Sequence, residues 1–273
     1  GATIGGGGAG GAVNRVASNF GTVAGGMANR AGGLLSTVGG GAGNAASGGT
    51  AAIGGGGFNR AEADYSTVAG GQLNAATSES ATIGGGTQNQ ATPEQATVGG
   101  GTLNLAEGPS AIVGGGESNT ATAEWSSVLG GRSNEATAAS ATVGGGLANI
   151  SGGVAAVIAG GSHNIASGDY ARVGGGSNNV ASGNYATVAG GGERVVGNKA
   201  SGDQSTIGGG SDNAAIGRYS TIAGGESNVT TGTRATIGGG HDNRASEMGG
   251  TIGGGHGNQT GFFGTVAGGE NNE

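Results

Sequence analysis

The chain has 273 residues, of which 73 are glycine, 2 are proline and none is cysteine, while charged residues make up 10% and aromatics 3%. No disulfide framework or thiolate metal site can form, and no apolar run approaches the ~18 residues of a membrane-spanning helix. A net charge of −7 argues against nucleic acid, whose phosphates are neutralised by clustered Lys and Arg.

Glycine at this level without a period would indicate a disordered, low-complexity chain. Here it recurs at a fixed interval, the mark of a repeat architecture. A Thr-Ile-Gly-Gly-Gly unit begins at Thr3, and a Thr-Val-Ala-Gly-Gly unit follows nineteen residues later at Thr22. The unit then recurs every fifteen residues, at Thr37, Ala52, Thr67, Thr82, Thr97, Ile112, Ser127, Thr142, Val157, Arg172 and Thr187. A second nineteen-residue interval leads to Thr206; Thr221, Thr236 and Thr251 keep the period, and Thr265 follows one residue early.

With the first residue of each unit as position 1, position 2 is always Val or Ile, positions 4 and 5 are always Gly, and position 8 is always Asn. Both four-residue insertions, around residues 8–13 and 192–197, fall between the Gly pair and the Asn. They are expected to bulge from one corner and leave the ranks undisturbed.

Each rank has a physical reading. A β-branched residue flanked by Thr and by Ala or Ser predicts a short strand with one inward side chain. The Gly pair predicts a tight corner needing positive φ or close backbone approach. Asn29, Asn44, Asn59, Asn74, Asn89, Asn104, Asn119, Asn134, Asn149, Asn164 and Asn179 stand two residues before a small residue, so both share one face of a second strand. Stacked from coil to coil, these amides predict a hydrogen-bonded ladder. Ala-Ser-Gly, as at Ala166-Ser167-Gly168, supplies a second turn. The predicted fold is therefore all-β: a parallel β-roll or β-solenoid of eighteen coils, with two of nineteen residues and one of fourteen, forming one repeat domain over residues 1–273.

Burying one Val or Ile contributes about 1.5–3 kcal/mol, whereas ordering each residue costs on the order of 1–2 kcal/mol. So thin a core predicts that chains pack side by side. Position 3, nearly always Gly or Ala, would admit a neighbouring backbone, and a homotrimer is the expected assembly.

The rhythm of Ala166-Ser167-Gly168-Asp169-Tyr170-Ala171-Arg172-Val173-Gly174 resembles the head repeats of trimeric autotransporter adhesins, the YadA-like head. The resemblance covers essentially the whole chain. It implies a left-handed parallel β-roll, three of which form a trimer at the cell surface. This chain departs from that pattern by a repeat one residue longer, by Gly-Gly or Gly-Gly-Gly where the family has one Gly, and by a more constant Asn.

Candidate contact residues lie on the outward ranks. Position 14 carries Phe20, Tyr65, Trp125, Tyr170, Tyr185 and Tyr219, which could bind glycan or protein, cover a turn, or fill a groove between chains. Asn149, Asn228 and Asn258 head formal N-glycosylation sequons, but all three belong to the inward ladder. His163 stands alone at position 7. Glu226, His241, His256 and Glu270 hold position 6 of four successive coils, so stacking places them in one column at steps of about 4.8 Å. That column reads as a solvated polar stripe, as a divalent-metal site, or as a group that gains charge near pH 6. Position 1 is Thr in thirteen coils, an incomplete form of the rank an ice-binding solenoid needs.

The glycine runs lack the Lys and the helix of a phosphate-binding loop. No nonrepeating cluster of acid, base and nucleophile marks an enzyme, and no cofactor is expected. The expectation is an extracellular, rod-like structural or adhesive segment of a bacterial surface adhesin or fibre, with host or matrix glycan or protein as its partner. The alternatives are a self-assembling head-to-tail filament and an ice-binding solenoid.

Overall fold

The computed structural model describes residues 1–8, 10–192 and 196–273. The bulges expected at 8–13 and 192–197 therefore lie in part outside the described residues. Among the described residues there is no helix, and so none long and apolar enough to cross a membrane. The fold is all-β, a parallel β-solenoid, as predicted. Each coil carries one two-residue strand at positions 1–2, such as Thr67–Val68, and one at positions 9–10, such as Ala75–Ala76. Among the described residues, seventeen coils hold both, and an eighteenth contributes Thr265–Val266.

The coils form two compact units, Gly1–Ser133 and Asn134–Glu273. In the first, Thr67–Val68 lies parallel between Ala52–Ile53 and Thr82–Ile83, with Val68 opposite Ile53 and Ile83. Ala75–Ala76 lies likewise between Arg60–Ala61 and Gln90–Ala91. In the second unit, Thr221–Ile222 is flanked by Thr206–Ile207 and Thr236–Ile237. Register is one whole coil, so every rank stacks on itself. The longer coils keep that register, with Thr3 opposite Thr22 and Thr187 opposite Thr206. The insertions leave the ranks intact.

Period-2 alternation decides what points inward. In the coil around Ile83, the side chains of Ala81, Ile83, Asn89 and Ala91 are fully buried, while Thr82 and Gln90 face outward. Apolar burial in this coil is thus one β-branched side chain and two methyl groups, and it is less where position 15 is Ser, as at Ser36, Ser66 and Ser126. Backbone pairing supplies what the core lacks: the amides of Thr82, Gly84, Thr87 and Gln90 each donate to the following coil at 2.9 Å. Such bonds recur from coil to coil and satisfy backbone groups that an interior cannot leave unpaired.

Left-handed backbone is not confined to the glycine corner. Among the described residues, thirty non-glycine residues have positive φ, each at position 7 or two residues before the next unit, including Gln88 at 56° and Gln95 at 59°. Each costs about 1 kcal/mol or more in a non-glycine residue. The compensation is a backward hydrogen bond, from Gln88 N to Gln72 O at 2.9 Å and from Gln95 N to Glu79 O at 3.0 Å.

The glycines at position 3 also gain a cause within the chain, while Ala24, Ala69 and Leu129 show that other coils hold a side chain at this rank. A Cβ added at Gly54 or Gly84 would overlap the carbonyl oxygen of Ala69 or Gly99 in the following coil. Close approach at this rank is therefore coil to coil, and does not by itself require a neighbouring chain.

Candidate functional site

The interior asparagine column is the most regular polar feature. Asn89 donates through Nδ2 to Gly85 O in its own coil and to Gly101 O in the next, both at 2.9 Å, and its Oδ1 accepts from Asn104 N at 3.0 Å. Asn29 repeats the pattern with Gly25 and Gly41, and Asn164 with Gly160 and Gly176. The predicted amide-to-amide contact also occurs at some steps, as from Asn74 to Asn59 at 3.1 Å and from Asn213 to Asn198 at 3.0 Å. The recurrent partners, however, are backbone groups of the glycine corner. Asn29 through Asn179 are all buried, so this column winds the coil and meets no ligand. The sequon residues Asn149, Asn228 and Asn258 are buried with Nδ2 committed to glycine carbonyls, and so present no accessible acceptor in the folded chain.

The position 6 column forms as the spacing predicts. Glu226 pairs with His241, His241 with His256, and His256 with Glu270, each as a parallel bridge. The two imidazoles stack with centroids 5.2 Å apart and planes 6° from parallel. His256 Nδ1 lies 3.7 Å from Glu270 Oε1. His241 Nδ1 lies 3.5 Å from the carboxylate of Asp242, a residue the rank argument did not single out because it sits at position 7. Left-handed backbone at Asp242, φ 54°, turns the chain at this point. One ligand atom from each of His241, Asp242 and His256 lies within 4.8 Å of the other two. Of the predicted set, Glu226 is one step further along the column. His163 is exposed and belongs to a different rank.

The position 14 residues stand on the outer corner, with Tyr65, Trp125, Tyr170, Tyr185 and Tyr219 all exposed. Tyr170 and Tyr185 stack at 4.9 Å with planes 3° apart, so each covers one face of the other and both turn their edges to solvent. Arg218 lies over the Tyr219 ring at 4.7 Å, and Arg234 lies 5.8 Å from its centre. Tyr65 has Thr50 and Ser80 as its column neighbours, so its ring faces are not stacked on another aromatic.

One ordered feature escaped the sequence reading. At position 13 of the second unit, Asp169 Oδ1 accepts from Val154 N, Asn184 Oδ1 from Asp169 N, and Asp203 Oδ1 from Asn184 N, each at 3.0 Å. Three Asx residues at one rank in successive coils were the available signal, since such side chains readily bond nearby backbone.

No family model matches this chain, and no curated relative matches it.

Proposed function

We propose that this chain is an extracellular structural and adhesive repeat segment of a bacterial surface adhesin or fibre, working as a homotrimer on host or matrix glycan or protein. One observation carries the reading: the ranks at positions 2, 5, 8 and 10 are consumed by winding, while positions 6, 9, 13 and 14 present variable side chains outward at each coil. A surface repeated at a constant step suits polyvalent attachment, in which many weak contacts sum. The thin core supports association, because each coil buries so little apolar surface alone. The resemblance to autotransporter heads points the same way.

Trp125 is the single tryptophan of the chain and stands exposed on the position 14 corner, so its fluorescence reports directly on that face. Sedimentation should give a mass three times that of one chain, and matrix glycans or proteins should quench or blue-shift Trp125. A stable monomer with an unchanged spectrum across a matrix-ligand panel would sink the proposal.

A second reading draws on the outward threonines. Thr187, Thr206, Thr221, Thr236, Thr251 and Thr265 stack in unbroken register on one sheet face, beside the Gly and Ala of position 3. Such a regular, uncharged face suits ice binding, and thermal hysteresis of the purified chain is its test.

A further inference from the structure

We propose that His241, Asp242 and His256 form a surface site for one borderline divalent transition-metal ion, with Glu270 closing its far side. This goes beyond the structural and adhesive reading and stands independently of it.

The donor set fits the ion class. Two imidazoles and a carboxylate suit zinc, copper or nickel, whereas magnesium and calcium favour all-oxygen shells. Solenoid winding, not chance surface proximity, brings the ligands together. His241 and His256 hold the same rank of adjacent coils and are joined by a parallel bridge, so their Cβ atoms are fixed one coil apart. Asp242 follows His241 through a left-handed corner, which sets its carboxylate 3.5 Å from His241 Nδ1.

The geometry needs only a small closure. Metal–nitrogen and metal–oxygen bonds are about 2.0–2.2 Å, so two ligand atoms on one tetrahedral ion stand about 3.4 Å apart. Here the three donors lie within 4.8 Å of one another. The remaining ångström or so comes from side-chain rotation, which is open to residues whose side chains are 46%, 54% and 51% exposed. The stacked rings must tilt toward each other to converge. Their 5.2 Å separation leaves them free to do so without moving the backbone bridge. Glu270, 3.7 Å from His256 Nδ1, can orient that ring as an outer partner or enter the shell directly.

His163 gives an internal control, being exposed and outside the column. The experiment is a zinc chloride titration of the full chain, read by calorimetry and by the histidine side-chain NMR signals. The expected result is one zinc per chain, with His241 and His256 resonances shifting together while His163 stays in place. His256→Ala should weaken binding at least about tenfold, since losing a ligand costs no less than losing an outer partner. Both exposed rings can be removed without touching the buried ranks, so unchanged circular dichroism will show that the variant is folded. No binding heat at millimolar zinc, equal shifts at all three histidines, or one zinc shared between two chains would each overturn the proposal.

Discussion

Gly71 and Asn74 form a single corner lock: a Cβ on Gly71 would lie 2.8 Å from Asn74 Nδ2 and would overlap the carbonyl oxygen of Gly86, to which that nitrogen donates at 2.9 Å. The absent side chain and the buried amide are two halves of one arrangement. From Gly7 to Gly116 and from Gly146 to Gly269, the same hypothetical Cβ at position 5 would stand 2.6–3.1 Å from the Asn nitrogen. The glycine at position 5 and the asparagine at position 8 are therefore invariant together for one cause.

Neighbouring glycines of that corner should respond very differently to substitution. Gly71 has φ 87°, so Gly71→Ala adds left-handed strain to the clash and should cost about 3 kcal/mol or more in urea denaturation. At Gly70 a Cβ meets nothing within 4 Å and φ lies outside the left-handed region. Gly70→Ala should stay within about 1 kcal/mol of the parent. Equal losses from the two would refute the lock.

Removing the amide tests the other half. Asn89→Ala leaves Gly85 O and Asn104 N without their partner, while Gly101 O keeps the Thr87 amide. Two orphaned groups at about 1–3 kcal/mol each put the loss on the order of 2 kcal/mol or more. Hydrogen exchange should show the Asn104 amide losing protection first, with the effect fading over successive coils as in other stacked repeats. A loss under about 1 kcal/mol would mean that water or a backbone shift replaces the amide.

The coil was legible because its constraints act at fixed sequence separation. Val or Ile at position 2, Gly at 5 and Asn at 8 each answer to the coil above or below, so a constant period exposes them. What stayed hidden was conformation carried by variable residues. Gln88, Trp125 and Tyr170 adopt left-handed backbone although nothing in their chemistry favours it, because the demand comes from a hydrogen bond to the preceding coil. Asp242 was missed for the same reason: its approach to His241 depends on the corner at position 7 and not on rank. The invariant glycine at position 4 remains without a steric cause at Gly25, Gly55 and Gly70, where a Cβ would have open space.

The Asx column predicts a difference between two conservative changes. Asp169→Ala removes the acceptor for Val154 N and should cost about 0.5–1.5 kcal/mol, the usual net worth of one hydrogen bond. Asp169→Asn keeps an acceptor oxygen in place, as Asn184 does one coil along, and should be close to neutral. Should the asparagine variant lose as much as the alanine variant, charge and not hydrogen bonding would govern this corner.

Tyr170 and Tyr185 test whether the outer aromatics add stability or only exposure. Their rings lie 4.9 Å apart and 3° from parallel, a separation close to the ~4.8 Å strand spacing. Aromatic pairs in favoured offset or edge-on arrangements are worth about 0.5–1.5 kcal/mol beyond area burial. A pair whose spacing is dictated by the backbone should fall at the lower end of that range. Both residues have left-handed φ, so glycine would relieve backbone strain and disguise the loss of stacking. Glutamine avoids this, since Gln204 and Gln95 hold the same rank with the same backbone. A double-mutant cycle with Tyr170→Gln and Tyr185→Gln should therefore give a coupling of about 0.5 kcal/mol. If the coupling is zero, stacking contributes nothing to the fold, and these side chains are free to separate when a ligand takes the space between them.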